Sequence, residues 1–288
     1  MSRPAGPVIA AGVYDALSAR LAERAGFEVL FLSGFGVAAT LLGEPDLGLL
    51  TQTEILDTAR RVIRAVDVPV VVDGDTGHGG PLNVQREVRE LVAMGARGVL
   101  LEDQVWPKRC GHMRGKAVIP AEEHVQKLRA AVEARGDAEL QILGRTDALQ
   151  PLGLDEAIRR GQLYREAGAD IVFVEAPRSE EDLARIGAAI PGPLIANLVE
   201  GGDTPLLTPE RLLELGFEWV VYPLSGLLGA AWALRESYRA LLDQRGPGPR
   251  QLGFAEIGRV LGLEEKLAAA DRDRPGSPPG PSRAPLST

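Results

Sequence analysis

The sequence predicts an α/β fold, a (β/α)8 TIM barrel in which eight parallel strands are each followed by a helix. Three observations predict it. Short apolar, β-branched runs alternate with longer amphipathic ones, eight times within roughly 240 residues. The apolar runs are near-continuous, as in parallel strands buried on both faces. And every run ends in polar residues, whereas the starts are mostly Pro, Gly or apolar.

Strand one, "PVIAA", leads to Tyr14-Asp15 and the helix "YDALSARLAERAG". Strand two, "EVLFLSG", leads to Ser33-Gly34-Phe35-Gly36, with the helix "QTEILDTARRVIRAV" further on. Strand three, "VPVVVDGD", leads to Asp73-Gly74-Asp75 and the helix "NVQREVRELVAMG". Strand four, "GVLLEDQ", leads to Glu102-Asp103-Gln104, then a long loop and "EEHVQKLRAAVEARG". Strand five, "LQILGRTD", leads to Arg145-Thr146-Asp147 and "LDEAIRRGQLYREAG". Strand six, "IVFVEA", leads to Glu175 and "SEEDLARIGAAI". Strand seven, "PLIANL", leads to Asn197, with Glu200 beyond, and "TPERLLELG". Strand eight, "WVVYPLS", leads to Tyr222-Pro223-Leu224-Ser225. Gly26, Gly95, Gly136, Gly168 and Gly216 close helices, the usual C-terminal stop.

Residues 1–245 thus read as the catalytic barrel, whose last helix spans Ser225 to Gln244. "RGPGPR" breaks the chain, and 246–270 reads as a helical extension, "FAEIGRVLGLEEKLAAA". A helix outside the eight units needs an apolar partner, either its own barrel or a neighbouring subunit. The Pro, Gly and Ser-rich tail 271–288 is expected to be disordered.

The 288 residues are 45% hydrophobic and 25% charged, ordinary for a globular protein. A net charge of -8 argues against nucleic-acid binding. One cysteine cannot form an internal disulfide, so a cytoplasmic location is expected. No signal peptide and no membrane span are expected.

In such a barrel the active site lies at the C-terminal strand ends. Asp73, Asp75 and Glu102, on adjacent strands, would repel one another unless a cation joined them. Oxygen-only ligands suit a hard ion such as Mg2+. The plainer alternative is that each carboxylate caps a helix or pairs with an arginine. Arg145 is the counter-charge that would grip a substrate carboxylate, or else form an ion pair with Glu175 or Asp147. Ser33, Gly34 and Gly36 offer N–H groups and a hydroxyl to an anion. Asn197 and Ser225 would hydrogen-bond a second carboxylate.

The stretch "EDQVWPKRCGHMRGK" holds Cys110 and His112. One Cys and one His two residues apart lack the other ligands of a zinc site. A lone cysteine is most often a buried, inert hydrophobe. Here Lys108, Arg109, Arg114 and Lys116 surround it, and basic neighbours favour a thiolate. The two glycines of this loop suit a lid over the barrel mouth. Glu102 to Gln104 are expected to serve the metal, Lys108 to Lys116 to form the lid.

"YDALSARLAERAGF", "LSGFGVAATLLGEPDLG", "VDGDTGHG", "LEDQVWPKRCGH", "GRTDA", "FVEAP", "ANLVEGGDTP" and "YPLSG" together resemble the isocitrate lyase / phosphoenolpyruvate mutase superfamily over about residues 8–245. "KRCGH" resembles its carbon–carbon lyase branch. The resemblance implies a helix after strand eight swapped between subunits, and hence a homodimer or homotetramer. It implies Mg2+, with Mn2+ an alternative, on Asp75, with Asp73 and Glu102 mostly through water. It implies a pyruvate-like moiety at Ser33-Gly34 and Arg145, with Phe35, Asp46 and Gly111 also in the substrate-binding set. Cys110 resembles the acid/base thiol, and Glu175, Asn197 and His112 would orient the leaving fragment. Tyr14, Arg145 and a water on the metal are the alternatives for the base.

The implied reaction splits the C2–C3 bond of a 2-hydroxy dicarboxylate into pyruvate and a carboxylate, and oxaloacetate is a further substrate. Methylisocitrate lyases usually carry an arginine just after "YPLS"; here the stretch is "YPLSGLLGAAW", closer to the 2,3-dimethylmalate or 2-alkylmalate lyases. Carboxyphosphonoenolpyruvate mutases share similar stretches, with Trp106 here replacing their Asn. A non-catalytic carboxylate-binding barrel is the alternative of another class.

Overall fold

The computed structural model describes residues 6–246, 248 and 251–272. Eight parallel strands close on themselves in chain order: β1 (Val8–Val13), β2 (Val29–Leu32), β3 (Val70–Asp73), β4 (Gly98–Glu102), β5 (Gln141–Thr146), β6 (Ile171–Val174), β7 (Leu194–Asn197) and β8 (Phe217–Tyr222). The seam pairs β1 with β8, Val8 opposite Trp219 and Ala11 opposite Tyr222. At that seam a Cβ on Gly12 would lie 2.1 Å from the Pro223 carbonyl oxygen, so only glycine fits there.

The helices are α1 (Ala16–Arg24), α2 (Gly34–Val37), α3 (Gln52–Ile63), α4 (Pro81–Met94), α5 (Ala121–Arg135), α6 (Leu149–Leu152), α7 (Leu154–Glu166), α8 (Glu180–Ala189), α9 (Pro209–Glu214), α10 (Ser225–Leu242), α11 (Phe254–Val260) and α12 (Leu263–Arg272). Their starts follow capping chemistry. The Asp15 carboxylate accepts from the Ser18 N–H at 2.7 Å, and Thr51 and Glu54 form a reciprocal box at α3. Gly95 closes α4 in the left-handed conformation, φ 83°.

Two apolar cores result. One fills the space between strands and helices, with Leu30, Ile55, Leu91, Leu128, Tyr164 and Phe217 fully buried. The other fills the barrel: Ala10, Phe31, Val71, Leu100, Leu143, Ile171, Phe173, Ile195 and Val221. This inner core is the floor on which the site is built.

The chain divides into two compact units, at Trp232/Ala233, inside α10. In the second unit the expected single helix is two. Gly262, φ 70°, breaks it, because the left-handed turn ends α11 and α12 starts afresh. α12 runs on to Arg272, so Asp271 and Arg272 are helical rather than tail. The rest of the expected disordered segment, 273–288, lies outside the described residues, as do Pro247, Pro249 and Arg250 of the breaker. The short α2, the π-helical turn Ala38–Leu42 behind it, and α6 have no counterpart in the amphipathic pattern. Among the described residues no helix is long and apolar enough to cross a membrane.

Candidate active site

A cavity of about 40 Å³ lies over the inner core. Phe31, Leu100, Phe173, Ile195 and Val221 make its floor; Ser33, Phe35, Asp46, Asp73, Arg145, Glu175 and Asn197 make its polar wall, and Lys108, Cys110, Gly111 and His112 its roof. The loop after β4 therefore lies over the barrel mouth. A space of this size holds a few waters, so a dicarboxylate would enter it only with movement of the loop.

The lid is fastened at named points. Gln104 grips the Arg109 backbone from both sides, donating to its carbonyl at 2.8 Å and accepting from its N–H at 3.0 Å. The Cys110 N–H donates to the Asp46 carbonyl at 3.1 Å. His112 Nδ1 accepts from the Asp203 N–H at 3.2 Å, and its Nε2 lies 3.4 Å from Glu175. A Cβ on Gly111 would sit 2.4 Å from Glu175 Oε2 and 2.5 Å from Arg145 Nη2. Only glycine lets the lid come this close.

Asp75 and Glu102 are buried at the strand ends, and Asp75 holds a left-handed backbone, φ 49°, a conformation costing a non-glycine residue ~1 kcal/mol. Burial pushes the Asp75 carboxyl up to about 6, Lys108 opposing and Asp73 and Asp46 adding to the rise. Burial likewise lifts Glu102 well above the usual range, against the pull of Arg145. Among the described residues no group of three His, Cys, Asp or Glu side chains is drawn together as a ready metal site. Lys108 Nζ instead lies 2.6 Å from both Asp46 Oδ1 and Asp75 Oδ1. Burial would lower that ammonium's pKa, but the carboxylates outweigh it and hold it well above the ordinary value.

The donor set nevertheless fits a hard divalent cation. It is oxygen-only, and Asp75 Oδ2 and Glu102 Oε1 are buried without a hydrogen-bond partner. Behind Asp75 stands a pair the sequence analysis missed. His78 Nε2 is 3.7 Å from Asp75 Oδ2, and its Nδ1 is 3.3 Å from buried Glu87. His78 stands in "VDGDTGHG" and Glu87 in the helical run "NVQREVRELVAMG", where the pattern marks a buried face but no ion pair.

Several expected roles are not those the side chains play. The Gly34 N–H donates to Asp73 Oδ2 at 3.1 Å, and the Gly36 N–H to Ser33 Oγ at 3.3 Å. These donors cap and brace; they form no open anion cradle. Asp103 and Gln104 do not serve a metal. Asp103 accepts from the Tyr164 hydroxyl at 2.6 Å, Thr146 Oγ1 at 2.8 Å and Arg160 at 2.9 Å, and Gln104 holds the lid. Ser225 donates to Glu200 and does not line the cavity. Tyr14 does not line it either, and burial raises its phenol pKa, which disfavours a ready base.

Arg145 takes the ion-pair alternative. Its Nε lies 2.8 Å from Asp147, and its Nη2 lies 3.1 Å from Glu175 and 3.3 Å from Glu102. The guanidinium stands 5.2 Å over the Phe173 ring. Burial would raise Asp147, but Arg145 and Lys116 outweigh it and hold the carboxyl well below the usual range.

The shift at Cys110 runs away from the thiolate that its basic chain neighbours favour, and toward the proton-giving thiol. Burial pushes the thiol up to about 11, Asp46 and Glu175 adding to the rise and the His112 backbone and Arg145 opposing it, while the lid lysines pair with carboxylates. The group is a thiol, suited to giving a proton.

A barrel with an acid-rich mouth, an arginine and a half-buried thiol under the loop after β4 has the make-up of an enzyme site. Comparison with known proteins narrows it. A family model described as "Phosphoenolpyruvate phosphomutase" matches residues 1–242, and the chain belongs to the phosphoenolpyruvate mutase / isocitrate lyase superfamily of lyases and mutases. "Petal death protein" of Dianthus caryophyllus is 51% identical over 90% of this chain and 83% of its own length. "Carboxyvinyl-carboxyphosphonate phosphorylmutase, chloroplastic" of Arabidopsis thaliana is 49% identical over 90% of this chain and 78% of its own. A crystal structure of 2,3-dimethylmalate lyase superposes with a TM-score of 0.88 at 36% identity, covering 92% of this chain and 90% of that one. The superfamily is generally dependent on a divalent metal.

Proposed function

We propose that this chain is a Mg2+-dependent carbon–carbon lyase that splits the C2–C3 bond of a 2-hydroxy dicarboxylate, a 2-alkylmalate before a 2-methylisocitrate, into pyruvate and a carboxylate, with oxaloacetate as a further substrate. The observation that carries this reading is the half-buried Cys110 thiol, which lines the cavity roof together with Arg145 and Glu175 below it. Asp75, with Asp73 and Glu102, would hold the metal, which when bound polarises the C2 oxygen and carboxylate of the substrate. Arg145 pairs with the substrate carboxylate by exchanging one of its present carboxylate partners. The C2 hydroxyl loses its proton to a base, the C2–C3 bonding pair moves to C3, and Cys110 gives C3 its proton. His112 and Asn197 orient the departing carboxylate, 3.5 Å apart and each within 3.5 Å of Glu175. Just after "YPLS" stand Gly226, Leu227, Leu228 and Gly229 instead of the arginine usual in methylisocitrate lyases, which disfavours a third carboxylate.

The second reading is a carboxyphosphonoenolpyruvate mutase, favoured by the 49% identical relative. The deciding assay offers 2,3-dimethylmalate, 2-methylisocitrate, isocitrate and oxaloacetate with Mg2+, read by 2-oxo acid release or oxaloacetate loss. Turnover of a dicarboxylate that stops in excess EDTA and returns with Mg2+ is expected. No turnover of any of them sinks the lyase, and phosphorus NMR with a phosphonoenolpyruvate-type substrate then tests the mutase.

A further inference from the structure

Lys116 ends the lid, and the proposed reaction gives it no part. Its side chain is fully buried although it sits on a loop. The ammonium donates to the Gly111 carbonyl at 2.5 Å and to Asp147 Oδ1 at 2.7 Å. Gly111 directly follows Cys110. Asp147 in turn receives Arg145 Nε at 2.8 Å and Nη2 at 3.0 Å. The Asp147 backbone is itself anchored, its N–H donating to buried Asp103 Oδ1 at 2.8 Å. One buried cation therefore ties the backbone that carries the thiol to the carboxylate that aims the guanidinium.

We propose that Lys116 is a positioning residue, a latch that holds the lid shut and sets Cys110 and Arg145 in register through Gly111 and Asp147. This rests on the lyase reading only in taking Cys110 and Arg145 as the working groups. Lysine suits the task because its flexible stem and point charge serve two acceptors at once, where the planar fork of arginine needs a fixed frame. The latch is conditional by construction. Opening the lid removes the Gly111 carbonyl, and water must then serve the freed donor position.

The chain has one cysteine, so alkylation by iodoacetamide reads lid opening at Cys110 without any substrate. Lys116→Met in the full chain is expected to raise the alkylation rate ~10-fold or more, since protection in a closed site tracks its local opening. In steady state it should raise KM for the dicarboxylate and lower kcat, together ~100-fold in kcat/KM, the cost of small misplacement. A merely structural ion pair would lower the melting temperature and leave both readouts alone. Should Lys116→Met misfold, the neutral pair Lys116→Met/Asp147→Asn leaves no unpaired buried charge, and the same faster alkylation is expected.

The unaltered chain supplies a third reading. Acylation by a succinimidyl ester, followed by mass spectrometry, should leave Lys116 far behind exposed Lys266. Wild-type alkylation rates in the folded variants, or acylation of Lys116 as fast as Lys266, overturn the latch. An absence of turnover in the wild type, with alkylation still faster in the variants, overturns the lyase reading and leaves the latch standing.

Discussion

At the scale of single residues, Cys110 shows what chain neighbours tell and what they hide. Its basic surroundings were legible in "KRCGHMRGK", but their charge was already committed: Lys108 to Asp46 and Asp75, Lys116 to Asp147. Pairing in space decides a thiol's state, and pairing is not written in local sequence. With the thiol at about 11, alkylation of Cys110 should climb through pH 10 instead of levelling near 8.5, the free-thiol value. Cys110→Ser should cut cleavage ~100-fold or more while leaving the melting curve in place. His124 is a second case, invisible in its helical pattern. It is fully buried, edge-on to Tyr164 at 4.6 Å, and burial pushes its pKa down to about 3, Lys127 and Arg160 adding to the fall. Above pH ~6.5 neither folded nor unfolded chain protonates it, and it adds no pH dependence. Between ~6.5 and about 3 only the unfolded chain takes the proton, so stability drains away as pH falls, at ~1.4 kcal/mol per pH unit at most. His124→Phe should flatten the acid-side fall of the melting temperature between pH 7 and 4.5; equal slopes in both proteins would contradict this.

At the scale of elements, the strands were legible because burial on both faces writes them as unbroken apolar runs, and most helices because they repeat every 3.6 residues. The lid has neither signature. Its place was readable from the strand end before it and its glycines, but not its fastenings, which join residues far apart in the chain, such as His112 to Asp203. Nor was the role of Gly34, whose N–H turns to Asp73. Gly111 carries the element-scale prediction. Gly111→Ala places a methyl group against Glu175 and Arg145, within 2.5 Å of both. Turnover should fall ~100-fold, because the lid no longer seats, with the melting temperature unchanged since the barrel is untouched. Full activity in that variant would mean the reaction proceeds under an open lid.

At the scale of the whole molecule, composition excluded partners but could not supply one. The apolar residues left outside are informative. In the second unit Leu242 is 84% and Phe254 91% exposed, with Leu241, Leu263 and Leu267 also in solvent. Helices with such faces are stable only when something covers them. A second copy of the chain is the cover expected from the resemblance, so light scattering should report a dimer or tetramer; a monomer at micromolar concentration would refute it.

Lys108 has a last consequence, for the order in which the molecule is loaded. In the structure its ammonium neutralises Asp46 and Asp75; with the lid lifted, those carboxylates, with Asp73 and Glu102, would stand at the mouth without it. A funnel of that sign draws in divalent cations and turns dianions away. On the lyase reading the acid is therefore expected second, after the metal, and initial-rate kinetics should show that order; binding of the acid to metal-free protein would contradict it.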